Sequence, residues 1–180
     1  EQVTDEKFHS LLEKHVLEPN ELTRTESLLH AKPENISPGY RKDSESGDVV
    51  TVNSQEMLNK ERSTARHDGG LLSNPQDLVR WAQLLYEEDA LEGAYLEDLL
   101  ASGYRGENRS EEFGLGVYVH TTTAGEAYGH YSTVPGYETS LIYFPKYKVG
   151  VCIQVNRDYE NDLRKYVESL AQVVLNAIPR

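Results

Sequence analysis

The chain has 180 residues, 38% hydrophobic and 27% charged, enough to bury the core of one domain. With 30 acidic against 18 basic residues the formal net charge is -12, which repels phosphate backbones and argues against nucleic acid or an anionic membrane as partner. Mean hydropathy is -0.62, no stretch reads as a membrane span, and a single cysteine, Cys152, excludes an intrachain disulfide and any multi-cysteine metal site.

The chain opens at Glu1 with no signal-like stretch, as a processed product or a part of a longer polypeptide would. Thr4, followed by Asp5 and Glu6, predicts a helix start. Phe8, Leu11, Leu12, His15 and Val16 follow at helical spacing until Pro19-Asn20, which puts His15 on the packed stripe. From Arg24 to Arg66 no period holds. Pro33, Pro38, Gly39 and Gly47 punctuate what reads as a long loop that wraps a surface or forms part of a site, with Val49-Val50-Thr51-Val52 as one short possible strand. Asn74-Pro75-Gln76-Asp77 predicts a capped helix with Leu78, Trp81, Ala82 and Leu85 on one face. It ends in Glu87-Glu88-Asp89, acids that its dipole disfavours. A short helix is expected over about Leu96 to Ser102.

From Phe113 the period becomes two. Strands are expected over Gly114–Thr121, Glu126–Tyr131, Glu138–Phe144 and Lys148–Val155, with hairpin turns at Thr123-Ala124-Gly125 and Pro145-Lys146-Tyr147. The last strand (Val149, Val151, Cys152, Ile153, Val155) is apolar on both faces, the mark of a central strand, yet in a meander it would be an edge. Either an earlier segment pairs with it or strands outside the chain do. A closing helix from about Asn161 carries Leu163, Tyr166, Val167, Leu170, Val174 and Ile178 on one stripe. The expected fold class is α/β of the α+β type. An antiparallel sheet is packed by a C-terminal helix, with a helical, loop-rich N-terminal part, in a single domain over residues 1–180.

Three stretches carry a resemblance. They are Gly69-Gly70-Leu71-Leu72-Ser73-Asn74-Pro75-Gln76-Asp77, then Phe113-Gly114-Leu115-Gly116-Val117, then Gly129-His130-Tyr131-Ser132-Thr133-Val134-Pro135-Gly136-Tyr137. Glu18 to Thr25 adds a fourth, similar to a Pro-Leu-Gly-Met-x-x-Thr segment. In this order the set resembles the C-terminal half of serine β-lactamase-like and penicillin-binding-protein-like hydrolases, a group of class C β-lactamases, D-alanyl-D-alanine carboxypeptidases, D-aminopeptidases and esterases.

The resemblance implies a Ser-x-x-Lys nucleophile, a Tyr-x-Asn motif and a Lys-Thr-Gly or His-x-Gly motif on a sheet-edge strand. Only the last has a counterpart, at His130-Tyr131-Ser132. Ser10-Leu11-Leu12-Glu13 and Ser54-Gln55-Glu56-Met57 both lack the lysine. The nucleophile is therefore expected upstream, in a missing N-terminal half, with His130 as the catalytic proton-handling group. Tyr131, Ser132 and the Thr133 N–H would meet a peptide, β-lactam or small ester laid along the strand. Two departures weigh on this: Tyr131 replaces a small hydroxyl residue and Ser132 a glycine. No metal or organic cofactor is implied, and family habit points to an extracytoplasmic site.

Blander readings stand beside these. His130 also suits a tyrosine-rich strand with no catalytic task, and Gly69-Gly70 a plain turn before a helix. His67-Asp68 lacks a third metal ligand, Cys152 sits in an apolar strand and reads as inert, and no Gly-x-Ser-x-Gly elbow supports an internal triad through Ser132 or Ser140. The same residues would also serve a catalytically inactive binding module, or a fragment that pairs its open sheet edge with a second copy.

Overall fold

The computed structural model describes residues 3–64, 70–87, 90, 93–101, 104–105 and 111–178. The first helix, α1 (Phe8–Leu12), passes into a π-helical turn over Glu13–Leu17. Thr4 does not cap it: Lys7 holds the N-cap position without a side-chain bond, and Thr4 Oγ1 accepts from the Glu6 N–H instead. The π turn, closed by Glu18 N–H to Glu13 C=O at 3.0 Å, shifts the register of the apolar stripe. His15 is therefore exposed rather than packed, and Leu17 takes the buried position.

The stretch expected as a long loop is structured. It holds β1 (Glu26–Ser27), a 3₁₀ turn at Pro33–Asn35, the hairpin β2 (Gly39–Lys42) and β3 (Val49–Val52), and α2 (Ser54–Thr64). Helix α2 escapes a periodicity reading because it is polar almost all round. Leu58, fully buried, packs with Ala31 and Ile36 in a small separate cluster. Strand β4 (Leu71–Leu72) pairs with β1, and Gly70 turns into it with φ +79°.

Helix α3 (Pro75–Tyr86) begins as the sequence dictates. Asn74 Oδ1 accepts from the Gln76 and Asp77 N–H groups at 2.9 and 3.0 Å. Asp77, buried, accepts from the Arg24 N–H at 2.9 Å and the Thr25 hydroxyl at 2.8 Å. Two of the motif segments thus meet in one hydrogen-bonded joint. The acidic end also has its reason. Glu87 takes Lys148 Nζ at 2.6 Å and the Tyr143 hydroxyl, and these hold its carboxyl below the usual range despite the helix dipole. Helix α4 (Gly93–Leu100) starts earlier than expected, and Ser102 lies outside the described residues.

The main sheet is antiparallel throughout, built from β5 (Tyr104–Arg105), β6 (Glu111–Phe113), β7 (Tyr118–Thr122), β8 (Gly125–Val134), β9 (Tyr137–Phe144) and β10 (Val149–Val155). Its spatial order is β10-β9-β8-β7-β6-β5. The four expected strands form the antiparallel meander, β5 and β6 add two that were not expected, and β8 runs on to Val134 rather than ending at Tyr131. Gly114 to Val117 is a turn, closed by Gly114 N–H to Val117 C=O at 2.8 Å with Gly116 at φ +81°, so β7 starts only at Tyr118.

Helix α5 (Leu163–Ala177) covers one face, where Val167, Ala171 and Leu175 meet Ala127, Ile142, Phe144 and Val151. On the opposite face α3 and α4 bring Ala82, Tyr86 and Leu96 onto Tyr128 and Tyr143. The buried line of α5 is Leu163, Val167, Ala171, Leu175, a strict i, i+4 row. Tyr166, Leu170 and Val174 of the expected stripe fall beside it and stay 50%, 44% and 37% exposed.

Strand β10 stands at the edge despite its apolar faces. Among the described residues only β9 pairs along it. The β2–β3 hairpin reaches just past its end, through Tyr40 N–H to Asn156 C=O at 2.9 Å.

Two substitutions test this frame. Gly129 lies so close to β9 that a Cβ there would sit 2.0 Å from the Leu141 carbonyl oxygen. Gly129→Ala should lower unfolding free energy by roughly 1–3 kcal/mol in urea titrations, the usual cost of forcing an extra methyl into a packed site. Asp77→Ala, which strands a buried N–H and a hydroxyl, should lower it by about 2 kcal/mol.

Candidate active-site cleft

The site begins with an unequal pairing of β8. Its first half, Gly125 to Gly129, pairs with β7, whose first residue Tyr118 stands opposite Gly129. Its second half, His130 to Val134, pairs with β9 alone among the described residues. One flank of backbone there is open at the position of the His130-Tyr131-Ser132 motif. The strand tip is fixed in place. Pro135-Gly136 turns into β9 with Gly136 at φ +85°, the Gly136 N–H donates to Asp158 Oδ2 at 2.8 Å, and Tyr137 Oη donates to the Ser37 carbonyl at 2.8 Å.

Beside this flank lies a cleft of about 350 Å³. Tyr131, Ser132 and Thr133 line it from β8, Glu138 and Thr139 from β9, Tyr118 from β7, and Asn161 to Arg164 from the start of α5. Strand pairing sets Thr133 against Glu138 and Ser132 against Thr139. Three of the four expected site residues thus share the cleft. His130 stands at its rim, exposed as a residue, with its ring 5.3 Å from Tyr118 and 6.2 Å from Phe113.

Tyr131 is held on three sides. The Arg164 guanidinium lies over its ring at 4.2 Å, Tyr118 packs at 5.6 Å, and its hydroxyl is 3.4 Å from Nε2 of His120, itself buried. The large residue in place of a small hydroxyl is therefore a fixed wall of the cleft. Burial lowers the pKa of His130, a backbone hydrogen bond at Tyr131 opposes this, and the Arg164 charge lowers it further. The imidazole is held below its usual value near 6.5, so at neutral pH it is an acceptor rather than a cation.

The α5 end of the cleft is partly committed to the fold. Asp162 Oδ1 caps α5 by accepting from the Lys165 N–H at 3.1 Å. Asn161 Oδ1 accepts from Arg157 Nε at 2.8 Å, and its amide donates to the Arg157 carbonyl at 3.1 Å.

Neither Ser132 nor Ser140 is an activated hydroxyl among the described residues. Ser140 is fully buried with its Oγ unpartnered, and among the described residues Ser132 Oγ has no hydrogen bond to a base. Burial also pushes the Cys152 thiol up to about 12, so it carries little thiolate. His67-Asp68 and Gly69 lie outside the described residues.

Sequence reasoning missed Arg164, Glu138, Tyr118 and His120. Arg164 follows the first buried residue of a helix and nothing local marks it. Only the fold of α5 back across the sheet brings it onto Tyr131.

An NMR titration of the 180-residue chain should place the His130 midpoint below 6.5 and move it upward in Arg164→Gln. The sign follows from the cause: a depressed histidine pKa costs stability as pH falls through the window between the unfolded and folded values.

A family model described as Beta-lactamase matches residues 1–175. No curated protein sequence matches the chain. Among solved structures, a D-stereospecific amidohydrolase from Streptomyces sp. superposes with TM-score 0.79 at 23% identity, over 93% of this chain and 49% of its own. D-amino acid amidase from Ochrobactrum anthropi SV3, complexed with D-phenylalanine, gives TM-score 0.79 at 18% identity, over 98% of this chain and 55% of its own. A penicillin-binding protein homologue from Pyrococcus abyssi gives 0.73 at 22%, over 93% of this chain and 37% of its own. The chain thus spans about half the length of the first two and less of the third. The order of motifs, the antiparallel sheet closed by α5 and the match over residues 1–175 agree: the chain belongs to the beta-lactamase family.

Proposed function

We propose that this chain is the C-terminal portion of a serine hydrolase that works through an acyl-enzyme, on D-amino-acid peptides or amides, β-lactams or small esters. The nucleophilic serine and its lysine are carried by polypeptide outside these 180 residues. The observation that carries the reading is the open flank of β8 from His130 to Val134, lying along the cleft at the motif position. An extended substrate can add to such a flank through its own backbone. His130, neutral at working pH, then takes or relays a proton, and the Thr133 N–H stabilises the developing oxyanion together with a donor beside the serine. Tyr131 and Ser132 bound the substrate. The names of the amidohydrolase and amidase structures support amides of D-amino acids.

The open side of β10 supports a second element of the reading. A seven-residue strand with apolar side chains on both faces suits pairing with the portion that bears the serine. A second copy of the chain is the alternative occupant.

A fluorophosphonate or β-lactam probe, read by mass spectrometry, should leave the 180-residue chain unmodified, and in the longer gene product should phosphonylate (with loss of fluoride) or acylate (with ring opening) a serine outside it. Covalent modification of any serine within 1–180 by either probe overturns the proposal. In the longer product His130→Ala should lower turnover about 10- to 1000-fold, the range for one acid–base or electrostatic group. Unchanged turnover would remove His130 from the chemistry.

A further inference from the structure

We infer that Asp158 is a positioning residue that holds the open flank of β8 in line for a substrate and ties it to the loop leading into α5. This rests on the proposed hydrolase reading and deepens it. Beyond Gly129 the strand has one neighbour among the described residues, β9, so its tip is a two-stranded hairpin. Such a hairpin is marginal in water and frays unless something outside it holds the turn. Asp158 supplies that hold. Its Oδ2 accepts from the Gly136 N–H at 2.8 Å, just past Val134, and the residue is half-buried. A carboxylate acceptor makes this one of the stronger kinds of hydrogen bond. Tyr137 Oη anchors the same turn to Ser37, which does not line the cleft.

Asp158 also belongs to the loop that becomes the other wall of the cleft. Its N–H donates to the Tyr40 carbonyl at 3.3 Å, and Asn156 Nδ2 donates to the Pro38 carbonyl at 2.7 Å. Glu160 pairs with Lys42 of β2. Arg157 and Asn161 bond each other at 2.8 and 3.1 Å, which closes the loop on itself just before Asp162 caps α5. Asn161, Asp162 and Arg164 line the cleft from this side, and Ser132 and Thr133 from the strand side. The junction has no slack, since a Cβ at Gly136 would sit 2.5 Å from Val52 Cγ2. Without the carboxylate the flank spends part of its time out of line. A ligand then binds only the aligned fraction, which raises its half-saturating concentration and leaves the rate at saturation alone. A merely structural loss does the opposite: less protein is active, so the limiting rate falls and half-saturation stays.

The test uses the longer gene product and the fluorophosphonate probe, with the labelling rate followed against probe concentration. In Asp158→Ala the half-saturating concentration should rise at least about tenfold, the scale of losing one hydrogen bond to a charged group, and the limiting rate should stay within about twofold. Asp158→Asn, which keeps an acceptor oxygen, should remain within about threefold of the unmodified protein on both measures. In the same proteins, amide exchange from Thr133 to Gly136 should be at least about tenfold faster in Asp158→Ala and unchanged along β10. A lower limiting rate with half-saturation unchanged, no change on either measure, or an Asp158→Asn as impaired as Asp158→Ala overturns the inference. An unmodified product that does not label removes the hydrolase reading instead. Exchange from Thr133 to Gly136 then decides alone whether Asp158 holds the flank, and an unchanged rate there overturns it.

Discussion

The cleft depends on the register of β8 on β9, in which Gly129 faces the Leu141 carbonyl so closely that no Cβ fits between them. A one-residue slip would turn Tyr131 and Thr133 to the α3 face and His130 and Ser132 to the α5 face. Arg164 would lose its ring, and Glu138 would lose its place opposite Thr133. The glycine is needed here for closeness, since its backbone has no unusual φ. The same position is the last of β8 to pair with β7, so the close approach to β9 and the start of the open flank meet at one residue.

A second constraint joins the N-terminal segments to this sheet. Thr25 and Arg24 bind Asp77 at the first turn of α3, with Ser73 Oγ 2.8 Å from Thr25 Oγ1. Helix α3 lies on β9 and β10, close enough that a Cβ at Gly150 would sit 2.9 Å from Val79 Cγ1. The joint therefore places residues 20–30 relative to the sheet, although no strand of the main sheet comes from them. At the far end Tyr137, Asp158 and the β2–β3 hairpin tie down the β8–β9 turn.

Much of the sheet was legible because β8, β9 and β10 alternate or run apolar, and α3 because Asn74-Pro75 announces it. The region from Arg24 to Arg66 was not. Its strands are two to four residues long and α2 buries Leu58 in a cluster of three, too little to leave a period. The motif at His130 to Thr133 showed where chemistry belongs, yet half of the cleft comes from α5 and from Glu138, which meet it only through tertiary packing. Tyr131 looked like an obstacle by resemblance. Its environment of Arg164, His120 and Tyr118 makes it a built wall. The α5 stripe was half legible, because the amphipathic helix carries two apolar rows and the sheet covers one.

The exposed row of α5 and the side of β10 that no described strand pairs with have a practical corollary. Backbone amides and carbonyls there stand in a ladder ready to receive any extended polypeptide, including a misfolded neighbour. No charge on β10 itself stands in the way of such pairing. The net charge of -12 opposes such association, and salt, which screens that repulsion, weakens the opposition.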